Sequence, residues 1–274
     1  MNIKKFVITM IVFCIYGCSS TQKPAPAIKS KIIELESLYR EAQREFNKQN
    51  YKESLTLFIE YIEKNKNKVT PKSKNRFFWA IDQVSRIYLR VYKDTEQTIA
   101  FLESISKTTE LSDAEEDDIN EWLAVAKNWK KLGRMPKNIK NPEELFSLGE
   151  KYFERGMEKI KYPADDAGNA DFYIAATYLT PYVYNYDNGK RLGKALFMLG
   201  NIRFRSWNDY EYWTENFYLK EVIRRYPNSK LAKRAYKILE DGIHAGYSGS
   251  SGDNTPPSQL RMLKKFKKLA HLKK

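Results

Sequence analysis

The strongest constraint on this chain is a helical hydrophobic period that restarts, segment after segment, across short polar breaks. In "IIELESLYREAQREFNKQN", Leu35, Leu38, Ala42 and Phe46 share one face; "YKESLTLFIEYIEKN" puts Tyr51, Leu55, Phe58 and Ile62 on another, with 47–50 as the turn. "RFFWAIDQVSRIYLRVY" and "TEQTIAFLESISK" make a second pair, with Asp94 as the N-cap of its second member. A further helix opens on Ser112 and Asp113 with an acidic first turn and closes on Lys130, Lys131 and Gly133, charges and glycine lying where the helix dipole and a left-handed C-cap want them. Pro136 and Pro142 punctuate the chain beyond that helix. No long run alternates β-branched and polar residues as a strand does. The expected fold class is all-α, helix pair after helix pair, as in an α-solenoid.

Two segments share a finer pattern. "LFSLGEKYFERG" carries Leu145, Leu148, Gly149, Tyr152, Phe153 and Gly156, and "LFMLGNIRF" carries Leu196, Leu199, Gly200 and Phe204. The small residue lets two helices approach, and the large ones fill the space around it. "LYREAQREFNKQNYKES" gives a third copy with Ala42 at the small position, Tyr51 opening the second helix and Ser54 where an alanine is expected. In these residues the chain resembles the tetratricopeptide-repeat (TPR) family. "YPNSKLAKRAYKIL", with Pro227, Ala232 and Ala235, is similar to the BamD-like repeats of outer-membrane-associated lipoproteins. The small positions are not spaced by multiples of 34 residues, so the repeats are degenerate. The resemblance implies a TPR-like solenoid whose first helices line a groove for a peptide or protein partner. Carried over slot by slot, that groove is Tyr39, Gln43 and Phe46, then Phe146, Glu150 and Phe153, then Lys194, Phe197, Asn201 and Arg205.

The N-terminus reads as an export signal. Lys4 and Lys5 precede an apolar run from Phe6 to Tyr16, too short to span a bilayer, and Gly17, Cys18, Ser19 and Ser20 come next. This order resembles a bacterial lipobox, which implies that Cys18 is lipidated and that Cys14 leaves with the signal. The lysine- and asparagine-rich composition resembles that of spirochaetal lipoproteins. The expected organisation is a signal peptide over 1–17, the lipidated cysteine and a flexible tether over 18–30, helical repeats over 31–134 and 142–245, a flexible linker over 246–259 and a basic amphipathic tail over 260–274. In the tail, Met262, Leu263, Phe266, Leu269 and Ala270 fall in one arc, with Arg261, Lys264, Lys265 and Lys268 opposite. From Ser258 onward there are seven Lys and Arg and no acid, half of the net charge of +14. Arg261, Lys264, Lys265, Phe266, Lys268 and Leu269 are the expected contacts to anionic headgroups or to a partner, against a solvated basic end as the plain alternative.

The sequence carries little catalytic chemistry. His244 and His271 are the only histidines, and neither has a second ligand at zinc spacing. No phosphate-cradling GxxxxGK[ST] or GxGxxG is present, and "GYSGSSG" does not satisfy GxSxG. Neither a metal nor a cofactor is expected. A paired-acid glycosidase acting on peptidoglycan is the enzymatic alternative, drawing on Glu143, Glu144, Glu150, Asp165 and Asp166, although the helix dipole alone accounts for acids at helix starts. The run Asp113, Glu115, Glu116, Asp117, Asp118 reads as a solvated helix start or a dock for a basic partner. Tyr182, Tyr184, Tyr186, Tyr210, Tyr212 and Trp213 exceed what one helix face needs, and they support interface or glycan binding beside a core role. Nucleic acid suits the charge but not an exported chain. The expected function is therefore a non-catalytic, lipid-anchored envelope protein on the periplasmic face of the outer membrane. It would hold an envelope protein or peptide partner, with a peptidoglycan- or glycan-binding factor as the alternative.

Overall fold

The computed structural model describes residues 26–66, 71–162, 167–205, 216–250 and 252–271. The expected signal sequence and Cys18 lie outside the described residues, as do Asp165, Asp166, Tyr210, Tyr212 and Trp213. The described chain is all-α. Its helices are α1 (Pro26–Asn47), α2 (Tyr51–Asn65), α3 (Pro71–Arg86), α4 (Thr95–Thr108), α5 (Asp113–Leu132), α6 (Pro142–Lys159), α7 (Asn169–Asn185), α8 (Leu192–Arg205), α9 (Phe217–Arg225), α10 (Lys230–Tyr247) and α11 (Pro257–Leu269). One wide π-helical turn, Ile87–Tyr92, extends α3, and two two-residue strands, Ser248–Gly249 and Gly252–Asp253, pair between α10 and α11.

The ends form where the sequence signals place them. Asp94 accepts a hydrogen bond from the Gln97 backbone N–H at 3.0 Å, starting α4. The Glu115 carboxylate reaches back to the Ser112 backbone N–H at 2.8 Å and its hydroxyl at 2.6 Å, and Lys74 pairs with the same carboxylate at 3.0 Å. Gly133 closes α5 at φ +63°.

Neighbours in sequence pack as antiparallel pairs, α1 with α2, α6 with α7, α8 with α9 and α9 with α10. The expected pairing of α3 with α4 forms only in part, because the π-helical turn widens the end of α3 and α4 packs chiefly on α5. Small residues set the approach distances. A methyl on Gly149 would sit 2.6 Å from Leu179 Cγ of α7, and one on Gly200 would sit 2.7 Å from Leu219 Cγ of α9. At the third such place Ala42 is fully buried, and Ser54 of α2 donates to its carbonyl at 3.0 Å, so the hydroxyl is satisfied where an alanine was expected. Gly200→Ala should cost about 1–3 kcal/mol of stability, since the colliding atom is a branch carbon held by a buried leucine. Gly246→Ala, a helical position with nothing within 4 Å, should instead gain up to about 1 kcal/mol. Urea unfolding of the two variants gives opposite signs if close approach, rather than glycine content, is what matters.

One continuous core runs the length of the described chain. The segment 133–141, where proline and glycine suggest a break, is pinned from α7. Trp129 of α5 donates its indole N–H to the Tyr178 hydroxyl at 2.7 Å, and that hydroxyl donates to the Arg134 carbonyl. The Tyr186 hydroxyl donates to the Lys140 carbonyl at 3.1 Å. Nearby, the fully buried Asp171 of α7 meets Lys159 at 2.7 Å and Arg155 at 3.2 Å, both from α6. Burial pushes its carboxyl above the usual carboxylate range, against the pull of those two cations.

Candidate functional site

α8 is buried on nearly every side, as its sequence of Leu, Ala, Phe, Met and Gly allows, and Lys194 is the exposed exception. It lies between α6 and α10, so three helices that are not consecutive in sequence run side by side. Their side chains form a recess of about 450 Å³. The floor is Phe153 of α6, Phe197 and Met198 of α8 and Leu231 of α10; the rim is Glu154, Lys194 and Arg234. Phe197 is 4% exposed and Arg234 lies over its ring at 4.6 Å from the centroid. The stacked guanidinium is weakly hydrated and keeps its donors for a ligand. Lys194 is held over the α6–α8 seam by an ion pair with Glu150. An apolar floor with a charged rim of both signs is the surface that receives an apolar side chain and orients the polar backbone around it.

Of the ten expected groove residues, the structure brings Phe153, Lys194 and Phe197 into this recess and sets Glu150 beside it through the Lys194 pair. Asn201 and Arg205 lie further along α8, where Arg205 donates to the Asn201 side-chain oxygen at 3.3 Å and burial holds its guanidinium below its ordinary value. Phe146 does not line the recess: it is 1% exposed, packed on Tyr182 with Arg191 over its outer ring face. Tyr39, Gln43 and Phe46 lie on α1, outside this recess. There Tyr39 packs on Phe58, Tyr61 and Trp79, Gln43 approaches the Tyr39 hydroxyl at 3.4 Å and Phe46 meets Tyr51 edge-on. The expected residues therefore do not line one groove from end to end.

Met198, Leu231, Glu154 and Arg234 were missed. The two α10 residues carried a signal: Leu231 and Arg234 are one turn apart in the segment after Pro227, and α10 takes the position of a first helix beside α8. Glu154 adjoins the expected Phe153 and faces the same recess from the exposed side of α6.

The other candidates resolve differently. Glu143 lies 3.7 Å from Arg191 and Glu144 pairs with Arg134, so the described members of the acid pool stand in ion pairs. Among the described residues no group of three or more His, Cys, Asp or Glu could hold a metal. Tyr182 is core at 1% exposure, Tyr186 is half-buried and Tyr184 is 75% exposed.

The expected linker and tail are more ordered than their composition suggests. The Asp253 carboxylate accepts the Thr255 backbone N–H at 2.9 Å and meets His244 Nδ1 at 2.7 Å, which ties the two-strand turn back to α10. Hydrogen bonds from the Thr255 hydroxyl, then its backbone N–H, then His244 hold the Asp253 carboxyl below the usual range. The apolar arc of the tail forms as read, but it faces protein. Leu263, Phe266 and Ala270 are buried where α11 packs on α9 and α10, with Arg224 over Phe266 at 5.3 Å. The Asn228 backbone N–H donates to the Leu269 carbonyl at 3.0 Å and fastens the far end. Phe266 is thus a structural residue of the fold and not a free membrane contact. No helix among the described residues is long and apolar enough to cross a membrane.

Compared with known proteins, the chain matches no family model, no curated protein and no solved structure.

Proposed function

We propose that this protein is a non-catalytic scaffold of a bacterial cell envelope, anchored through Cys18, that holds a segment of a partner protein in the recess between α6, α8 and α10. The carrying observation is that these three helices, separated in sequence, present an apolar floor ringed by Glu154, Lys194 and Arg234. The lipobox-like order Gly17-Cys18 and the TPR-like segments around Gly149 and Gly200 support the same reading from the sequence, with a TPR-like solenoid as the architecture and the periplasmic face of the outer membrane as the location. The segment held would offer one or two large apolar side chains to the floor and a carboxylate to Arg234.

The test is a crosslinked pull-down from solubilised envelopes with the full-length protein and with Leu231→Ala/Arg234→Glu. Arg234 is exposed and Leu231 half-buried, so the double variant should keep its fold, which circular dichroism checks. A protein partner recovered by the parent and reduced about tenfold or more with the variant supports the recess, a loss in line with truncating one interface anchor. A partner recovered equally by both, or recovery of peptidoglycan in place of protein, overturns it.

A further inference from the structure

The C-terminal region concentrates charge, and Arg234 is the one cation of it that lines the recess. Residues 216–274 carry fourteen Lys and Arg against four carboxylates, which is +10 of the net charge of +14. Three of these cations have partners: Arg224 and Arg225 both meet Glu221 at 2.9–3.0 Å, and Arg234 stacks on Phe197. α11 carries no acid. Arg261, Lys264, Lys265 and Lys268 have no ion pair among the described residues, and all four stand exposed. At 100° per residue they fall within about a 100° arc, directly opposite the buried Leu263, Phe266 and Ala270. Leu260, 45% exposed, and Leu269 stand at the two edges of that arc, and Leu269 and the four cations enclose a shallow hollow of about 380 Å³.

From this geometry we infer that α11 is an electrostatic docking stripe for an anionic bilayer surface, and that it binds by adsorption rather than insertion. The apolar side that would enter the acyl region is already buried in the protein, so the helix cannot offer it without coming off α9 and α10. What remains outward is a straight row of cations bordered by two leucines, which suits phosphate headgroups with a shallow apolar margin. Three of the four cations are lysines, point charges without the planar fork that reads bases, and no aromatic ring stands among them as a stacking platform for a single strand. The stripe acts independently of the recess and of acylation at Cys18.

The experiment uses the full chain as Cys18→Ser, so that no acyl chain contributes. It is sedimented with phosphatidylcholine vesicles alone and with vesicles containing phosphatidylglycerol. Binding should be confined to the anionic vesicles and should fall steeply between about 0.05 and 0.5 M salt, as the screening length shrinks. Each basic residue near such a surface contributes roughly fivefold, so Lys264→Ala/Lys265→Ala should weaken partitioning about 25-fold with an unchanged thermal transition. Equal binding to both vesicle types, an unaltered double variant, or capture of an anionic oligonucleotide that the vesicles fail to displace would each overturn the inference. The double variant leaves Phe153, Phe197, Leu231 and Arg234 intact, so loss of vesicle binding with the recess partner retained separates this stripe from the scaffold function.

Discussion

Trp129→Ala should be the most damaging single substitution in this protein, with a loss of about 3–5 kcal/mol. The side chain is fully buried, and truncation removes its burial and leaves a cavity that the surrounding helices cannot close. It also removes the donor to the Tyr178 hydroxyl, the group that holds the Arg134 carbonyl and thereby pins 133–141 to α7. For a chain of this size the expected fall in melting temperature is about 10 °C. Tyr178→Phe should cost less, about 1–3 kcal/mol, because the ring still fills its place on Tyr152 while the Trp129 N–H and the Arg134 carbonyl lose their partner. If the two halves of the chain shared no core, Trp129→Ala would split melting into two transitions. A single, lowered transition is the expected result, and a change below about 1 kcal/mol would show that α5 and α7 do not depend on this contact.

Removing everything after Ser258 should cost as much or more, about 3–6 kcal/mol. Leu263 and Phe266 each contribute about 1.5–3 kcal/mol by burial, and α9 and α10 lose the cover over one face. The truncated protein should therefore bind a hydrophobic dye and associate as its concentration rises, whereas the lysine-to-alanine variant of the stripe should do neither. Calorimetry with dye binding on both separates the two roles of α11. A truncated protein that melts like its parent would mean that the α11 contacts add nothing. Truncation alone is a poor probe of membrane binding, since a defect in the shortened chain would confound loss of charge with loss of fold.

Much of this architecture could be read from the amino acids because it depends on local rules. The caps at Asp94, Ser112 and Gly133 are decided by residues within one turn of each other, and the close approaches at Gly149 and Gly200 arise from a small residue set among large ones on one helix face. What could not be read is which surface covers which. Phe146 and Phe153 are two turns apart on one face of α6 and are alike in the sequence, yet Phe146 is closed over by Tyr182 and Arg191 while Phe153 borders the recess. The apolar stripe of α11 announces that something buries it without saying whether that is lipid or protein. Its Gly- and Ser-rich approach reads as a free linker because the bond that ties it to α10, His244 to Asp253, joins residues on either side of the turn. The recess itself needs α10 beside α8, a relation between segments that no single period contains.

The placement of α11 has a consequence for growth. A row of helices packed side by side has no inherent stopping point, because each new member leaves another greasy flank on which a further one, from the same chain or from a second molecule, could settle. Here the flank offered by α9 and α10 is met by a helix whose other side carries four cations of one sign and no acid between them. Two such ends brought together repel. Charge on α11 therefore opposes the stacking of two molecules through this face.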